Sequence, residues 1–130
     1  MEGNIYLVGG TGTANNPDNG KVTEFNPRTD TWRNMPSLQQ MRLGHSVCTL
    51  DNKIFVLGGY CSGTTCEMFD LRDDDLQWSY IAGMKDQHEY GEAVVIERKI
   101  YALGGVTPSV QVYDVDQGKD TLMKFTNHHI

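Results

Sequence analysis

Short apolar runs alternate with polar, turn-rich stretches along this chain, and one run recurs three times. Each copy has four apolar residues followed by a pair of glycines, and successive copies begin 49 and 46 residues apart. The copies are Ile5-Tyr6-Leu7-Val8-Gly9-Gly10, Ile54-Phe55-Val56-Leu57-Gly58-Gly59 and Ile100-Tyr101-Ala102-Leu103-Gly104-Gly105. A second element follows each run and carries an aromatic residue, Phe25, Phe69 or Tyr113. The spacing indicates an internal repeat of about 46 residues.

Two further elements complete the repeat. A tryptophan lies beyond the aromatic residue in the first two copies, at Trp32 and Trp78. The second and third copies also open with an extra element, at residues 44–50 and 91–96, whereas the chain begins only four residues before the first run. Elements this short, and rich in Val, Ile, Tyr and Phe, are typical of β-strands rather than helices. Turn-forming pairs such as Asp51-Asn52 separate them.

The pattern predicts an all-β fold of about eleven short antiparallel strands. They fall into three groups of four, of which the first lacks its innermost strand. Residues 55–57 and 94–96 are continuously apolar, which predicts strands buried on both faces, as in a sheet stacked between two others in a propeller. The Asp18-Asn19-Gly20 stretch is a hairpin signal.

Four features together resemble the kelch-repeat family, and most of all the BTB–kelch adaptor proteins. They are the glycine pair, the later aromatic residue, the tryptophan, and the Arg42-Leu43-Gly44-His45 opening of the middle copy. The third copy departs from this pattern, because Gly91 stands in the place of His45 and residue 122 is leucine where tryptophan is expected.

The resemblance implies an incomplete kelch β-propeller of about three four-stranded antiparallel blades. Residues 1–130 would form a single kelch-repeat region, with a partial blade at 1–40, a complete blade at 41–84 and a blade with a degenerate last strand at 85–130. Propellers close with about four to eight blades, so three cannot close a ring alone. We therefore expect apolar faces on the end blades and self-association through them, either because the chain is part of a longer propeller or because it assembles with another chain.

The recurring glycines and aromatic residues are interpreted as scaffold. Glycine at a strand end permits backbone angles and a close approach that a side chain would block. Large aromatic rings fill the wedge between splayed sheets. These structural residues are Gly9, Gly10, Phe25, Trp32, Gly58, Gly59, Phe69, Trp78, Gly104, Gly105 and Tyr113.

Charge and composition narrow the classes of partner. Eleven Lys and Arg residues stand against 17 Asp and Glu residues, for a net charge of −6, and no basic run occurs, so nucleic acid is not an expected partner. The apolar runs are too short to cross a membrane, and the N-terminus carries no signal-peptide pattern. Three cysteines, an odd number, favour a reducing, cytoplasmic setting.

The sequence predicts no catalytic residue, no metal site and no cofactor. The Gly9-Gly10-Thr11-Gly12 stretch lacks the third glycine and the helix of a dinucleotide fingerprint. His45 and Cys48 are three residues apart, which on a strand places them on opposite faces and favours structural roles.

The remaining polar clusters have ordinary explanations. Residues 73–75 are interpreted as a solvated acidic turn and His128-His129 as a terminal tail. Cys61 and Cys66 flank a hairpin loop, and whether they pair or remain free thiols stays open.

Recognition is expected in loops. In kelch proteins that this chain resembles, ligands are held by the loop after the glycine pair and by the loop that enters the innermost strand. The matching positions here are Thr11, Thr13, Tyr60, Ser62, Val106 and Thr107 for the first set, and Arg42, His45, Glu89 and Tyr90 for the second.

The resemblance implies a non-enzymatic module that binds a protein or peptide, as the substrate-recognition region of a cullin-type ubiquitin ligase adaptor or a fragment of one. Actin binding is an alternative that the sequence does not separate from it. A fragment of a kelch-type propeller enzyme, a copper radical oxidase or a sugar epimerase, is disfavoured because those enzymes need a complete ring and, for the oxidases, metal-ligand sets missing here.

Overall fold

The computed structural model describes residues 3–13, 15–60, 62–105, 109–117 and 124–127, and for 124–127 the backbone alone. These residues form eleven short strands and two single-turn 3₁₀ helices, at Pro17–Gly20 and Val115–Gln117. The strands are β1 (Ile5–Val8), β2 (Val22–Asn26), β3 (Thr31–Met35), β4 (Ser46–Leu50), β5 (Lys53–Leu57), β6 (Cys66–Asp70), β7 (Ser79–Ile81), β8 (Glu92–Ile96), β9 (Lys99–Leu103), β10 (Ser109–Asp114) and β11 (Lys124–Asn127).

The strands form three antiparallel sheets in which neighbours along the chain are neighbours in space. The first sheet is β1-β2-β3, the second β4-β5-β6-β7 and the third β8-β9-β10-β11. The first sheet therefore lacks the strand that β4 and β8 supply to the others, and β4 lies beside β8. This arrangement confirms the predicted all-β fold, an incomplete kelch-type propeller whose first blade lacks its innermost strand.

One predicted turn is wrong. The Asp18-Asn19-Gly20 stretch does not form a hairpin turn but belongs to the 3₁₀ helix at Pro17–Gly20, inside the loop from β1 to β2. Pro17 supplies a helix-compatible φ angle at the first position, and the Asn16 side chain caps the turn by accepting a hydrogen bond from the backbone N–H of Asp18 at 2.9 Å. These two local signals outweigh the preference for a two-residue hairpin.

The core consists of two seams, one on each face of the second sheet. In the first seam, Val8 and Val22 of the first sheet pack against Phe69 and Trp78 of the second sheet. In the second seam, the second sheet packs against Ile100, Ala102 and Tyr113 of the third.

Strand β5 contributes to both seams because its side chains alternate between the two faces. Ile54 and Val56 point into the first seam, and Phe55 and Leu57 point into the second. All four are at most 2% exposed. This confirms the prediction that residues 55–57 are buried on both faces, and it makes β5 the central strand of the described structure.

The same prediction is wrong for residues 94–96. Val95 packs against the second seam, but Val94 and Ile96 are 41% and 53% exposed. The reason is that, among the described residues, the third sheet has a neighbouring sheet on one side only, so the alternate residues of β8 face outward.

The glycine pairs allow neighbouring backbone to pack directly against the ends of the strands. Gly58 has a φ of +63°, and a Cβ at this position would overlap the carbonyl oxygen of His88. That carbonyl accepts a hydrogen bond of 2.8 Å from the backbone N–H of Gly59. The pair thus brings the linker before the third sheet into direct backbone contact with the second sheet.

A matched pair of valines tests the two-seam core. Val56 and Val47 face each other on β5 and β4, but Val56 is fully buried and Val47 is 39% exposed. Val56→Ala is expected to lower the free energy of unfolding by about 1.5–3 kcal/mol, because it leaves a cavity in the first seam. Val47→Ala should cost less than about 1 kcal/mol. Urea denaturation of both variants measures the difference, and equal losses would contradict the assigned core.

Candidate functional site

The predicted recognition loops converge at one end of the sheets. We call this set the upper loops: residues 9–13, 58–60 and 62, which follow strands β1 and β5, and the linkers 41–45 and 86–91. The backbone N–H groups of Gly10, Tyr60 and Tyr90 donate to the carbonyl oxygens of linker residues 42, 43 and 44 at 3.2, 2.6 and 2.7 Å. A single linker therefore holds loops from all three sheets.

The first upper loop is fixed by a buried asparagine. Asn19 accepts hydrogen bonds of 2.8 Å from both the backbone N–H and the hydroxyl of Thr11. Its side-chain N–H donates to the carbonyl oxygen of Thr13 at 2.8 Å. Thr11 and Thr13, both of them candidate ligand contacts, are exposed on this loop.

Two tyrosines project from the upper loops. Tyr60 and Tyr90 are 46% and 62% exposed, although their backbones are bonded to adjacent linker residues. Tyr90 has a φ of +57°, a conformation that non-glycine residues rarely adopt. Its ring lies directly on Gly44, where a Cβ would be 2.8 Å from the ring. A strained, exposed aromatic residue on a fixed backbone is typical of functional positions.

Arg42 takes a different place from the one predicted. Its guanidinium donates to Glu67 through Nε at 3.0 Å and Nη2 at 2.9 Å. Nη1 donates to the carbonyl oxygens of Gly58 and Thr65 at 2.8 and 2.9 Å. Both charged side chains are 0% exposed. Arg42 is thus a structural residue that locks the linker to the second sheet, and we remove it from the ligand-contacting set.

Ser62 is likewise buried, and its hydroxyl donates to the carbonyl oxygen of Met41 at 2.9 Å. His45 joins the first two sheets: its Nε2 lies 2.6 Å from the carbonyl oxygen of Val8 and donates to it. Its buried Nδ1 has no partner among the described residues. Both side chains hold the loops in place rather than present a surface.

Three predicted ligand contacts remain, and only one of them lies among the described residues. Glu89 is half-buried beside Tyr90. Val106 and Thr107 lie outside the described residues. The exposed Met41 was missed by the sequence reasoning, and the signal for it was its position in the linker immediately before Arg42. Methionine is an adaptable contact residue at binding surfaces.

The third copy replaces the buried ion pair with neutral groups. By repeat spacing, His88 and Gln111 stand where Arg42 and Glu67 stand in the second copy. Nε2 of His88 lies 2.7 Å from the Ser46 hydroxyl oxygen across the second seam. The Gln111 amide accepts from the backbone N–H of Asp86 at 3.2 Å and donates to its carbonyl at 3.1 Å. The two linkers are thus fastened by different chemistry.

The described thiols are inert. Burial raises the pKa of Cys48 and of Cys66 to about 12, so neither forms a thiolate readily near neutral pH. Cys61 lies outside the described residues, and its pairing with Cys66 stays an untested alternative.

The described ranges show neither a metal-binding cluster nor a membrane-spanning helix. They hold no group of three His, Cys, Asp or Glu side chains arranged to share a metal ion. No helix in that part of the chain is long and apolar enough to span a membrane.

The chain matches the family model of the kelch motif at residues 1–39 and 41–85, which is more than half of its length. It belongs to the kelch-repeat family. The third sheet lies beyond the matched residues, in agreement with the departures at Gly91 and residue 122.

Its relatives are kelch proteins of animals and plants. Kelch-like protein 36 of Bos taurus is 28% identical over 129 residues, covering 88% of this chain and 21% of that protein. An F-box/kelch-repeat protein of Arabidopsis thaliana is 33% identical over 102 residues, covering 76% of this chain and 27% of that protein. Kelch-like protein 26 of Danio rerio is 27% identical over 109 residues, covering 81% of this chain and 17% of that protein. The kelch chain therefore spans about a quarter or less of these relatives.

The buried ion pair of this kelch chain yields a stability prediction. Arg42→Met removes the cation from a fully buried pair and leaves Glu67 uncompensated, so the free energy of unfolding should fall by about 3–5 kcal/mol. The control is Lys21→Met, which breaks the exposed Lys21–Asp18 pair of 3.0 Å and should change stability by no more than about 0.5 kcal/mol. Chemical denaturation compares the two, and a small effect at Arg42 would contradict its structural role.

The buried histidines predict a loss of stability in mild acid. Burial lowers the pKa of both His45 and His88, so the unfolded chain binds protons more readily than the folded chain. The free energy of unfolding should be constant above the ordinary histidine pKa of about 6.5 and fall as the pH drops through the lower folded-state values. Denaturation midpoints across this range measure the slope.

The matched variant for this measurement is His45→Asn combined with His88→Asn. It should flatten the slope between neutral and mildly acidic pH, whatever its effect on absolute stability. Hydrogen bonds from Arg98 lower the pKa of Asp51 and of Asp116. Protonation of these carboxylates therefore affects the free energy of unfolding only at a more acidic pH. An unchanged slope in the double variant would contradict the assignment to histidine.

Proposed function

We propose that this kelch chain binds a protein or peptide at its upper loops, as the substrate-recognition region of a cullin-type ubiquitin ligase adaptor. The observation that carries the proposal is the placement of Tyr60 and Tyr90. Both side chains are exposed, while their backbone N–H groups donate to the carbonyl oxygens of Leu43 and Gly44, consecutive residues of the linker. Rigid, exposed tyrosines supply large contact area at a small loss of conformational entropy, and tyrosine is enriched among the residues that dominate binding energy.

The surroundings of the tyrosines favour a particular kind of ligand. Thr11 and Thr13 add hydrogen-bonding groups on a fixed loop, and Met41 adds adaptable apolar surface. Glu89 lies next to Tyr90, and the whole chain carries a charge of −6. We infer a partner segment that places an apolar residue between the tyrosine rings and a basic residue near Glu89.

The adaptor role is supported by the relatives rather than by the upper loops. Their names describe kelch-like and F-box/kelch-repeat proteins, and none of these names describes an enzyme. The proposal therefore assigns this chain capture of a partner and no reaction of its own, in the cytoplasm. If the adaptor role holds, the captured protein is ubiquitinated in cells in a manner that depends on Tyr60 and Tyr90. Ubiquitination that persists in the Tyr60→Ala, Tyr90→Ala variant would contradict it.

A selected peptide tests the binding surface directly. Peptides are selected from a random phage-displayed library with the 130-residue chain, and their affinities are measured by calorimetry. The selected sequences should be enriched in Lys or Arg. Tyr60→Ala combined with Tyr90→Ala should weaken binding by roughly 30-fold or more, as expected for the loss of dominant contact residues.

Tyr80 supplies the matched control, since it is 48% exposed but lies on β7, outside the upper loops. Tyr80→Ala should leave peptide affinity unchanged within about twofold. Peptides that lose affinity to the Tyr80 variant and keep it for the double variant would place the binding surface elsewhere and overturn the proposal. Selection of acidic peptides would contradict the inferred charge.

A further inference from the structure

Both outer sheet faces of the described arc are apolar and uncovered. On the first sheet, Ile5, Leu7 and Trp32 are 51%, 52% and 59% exposed. On the third sheet, Val94 and Ile96 are exposed, and four half-buried apolar side chains share their face: Tyr101, Leu103, Val110 and Val112. Patches of this kind on a sheet face mark an interaction surface.

The outer face of the first sheet corresponds to a face that is buried elsewhere in the same molecule. β1 and β2 pair Ile5 with Phe25, just as β5 and β6 pair Ile54 with Phe69. The Phe25–Trp32 ring pair, with centroids 4.7 Å apart, repeats the Phe69–Trp78 pair at 5.3 Å. Position by position, Ile5, Leu7, Phe25 and Trp32 correspond to Ile54, Val56, Phe69 and Trp78. The latter four lie in the first seam and are at most 2% exposed.

The outer face of the third sheet corresponds to the opposite half of a seam. Tyr101, Leu103, Val110 and Val112 correspond to Phe55, Leu57, Cys66 and Met68, which form the second sheet's side of the second seam. Each of the two internal seams joins a face of the first kind to a face of the second kind, and among the described residues one face of each kind is uncovered.

We propose that two copies of this chain associate head to tail, with the third sheet of each packed on the first sheet of the other. Each of the two junctions would form a seam built like the two internal ones. A heterologous contact generates a closed ring when its rotation closes. The described residues of one copy form three sheets, so two copies supply six, and of the multiples of three only six lies within the usual range of about four to eight blades.

The charges of the two faces allow this contact. The described face of the first sheet holds Ile5, Leu7, Thr23, Phe25, Trp32 and Asn34 and no ionisable side chain. The outer face of the third sheet carries three charged residues, all at its margins: Lys99 and Asp114 are opposite charges paired across β9 and β10, and Glu92 begins β8, opposite Leu103. No like-charged groups of the described residues meet, so burial of the apolar side chains is not opposed by repulsion.

Light scattering of the purified 130-residue chain, with two face variants, tests the proposal. Wild type should have twice the monomer mass. Trp32→Glu alters only the first-sheet face and Val94→Glu only the third-sheet face, so each variant alone should be monomeric, with its β-sheet circular dichroism retained. An equimolar mixture of the two variants should recover dimers, because one wild-type seam remains between a Trp32→Glu copy and a Val94→Glu copy. Leu76→Glu is the control, since Leu76 is 52% exposed but lies in a loop, and this variant should remain dimeric.

Every other outcome overturns the proposal. A monomeric wild type means that the faces do not recognise each other, and assemblies larger than a dimer mean that the contact does not close. A dimer that survives one variant but not the other indicates a contact between identical faces. Failure of the mixture to recover dimers excludes a head-to-tail arrangement, and the wild-type mass remains decisive if a variant fails to fold.

Discussion

The structure depends on one constraint: a sheet that is apolar on both faces must be covered on both faces. Strand β5 carries this constraint, since Ile54 and Val56 require one neighbouring sheet and Phe55 and Leu57 require another. Burial of the four side chains supplies a large part of the stability available to a chain of this length. The second sheet therefore organises the molecule, and the first and third sheets are positioned by what they cover.

The upper loops follow from the stacking of sheets. Each linker must pass from the outer strand of one sheet to the inner strand of the next, and it crosses the same end of the stack every time. In the first linker, Arg42 and Glu67 form a buried ion pair that fastens this linker to the second sheet. The backbone N–H groups of Tyr60 and Tyr90 donate to residues of this linker, so the buried ion pair also helps to position the candidate binding surface.

Most of the fold was predictable from the sequence, because glycine pairs and aromatic residues recur in register. The errors have physical causes that a single strand does not reveal. The apolar composition of residues 94–96 is that of a strand buried on both faces, but burial depends on a neighbouring sheet that the described structure lacks. Arg42 has the charge of a surface residue, yet its location is set by Glu67, 25 residues later, and by two backbone carbonyls. The strained conformation of Tyr90 depends on the close approach of Gly44, which no local pattern encodes.

Hydrogen–deuterium exchange, read peptide by peptide along the native chain, tests the central role of β5 most directly. Amide exchange reports the free energy of local opening, which is greatest where a strand is paired on both sides and covered on both faces. The slowest exchange is expected at residues 53–57, and exchange at residues 5–8 should be faster because β1 has one unpaired edge. Equal protection of the two segments, or faster exchange at 53–57, would contradict a molecule organised around the second sheet.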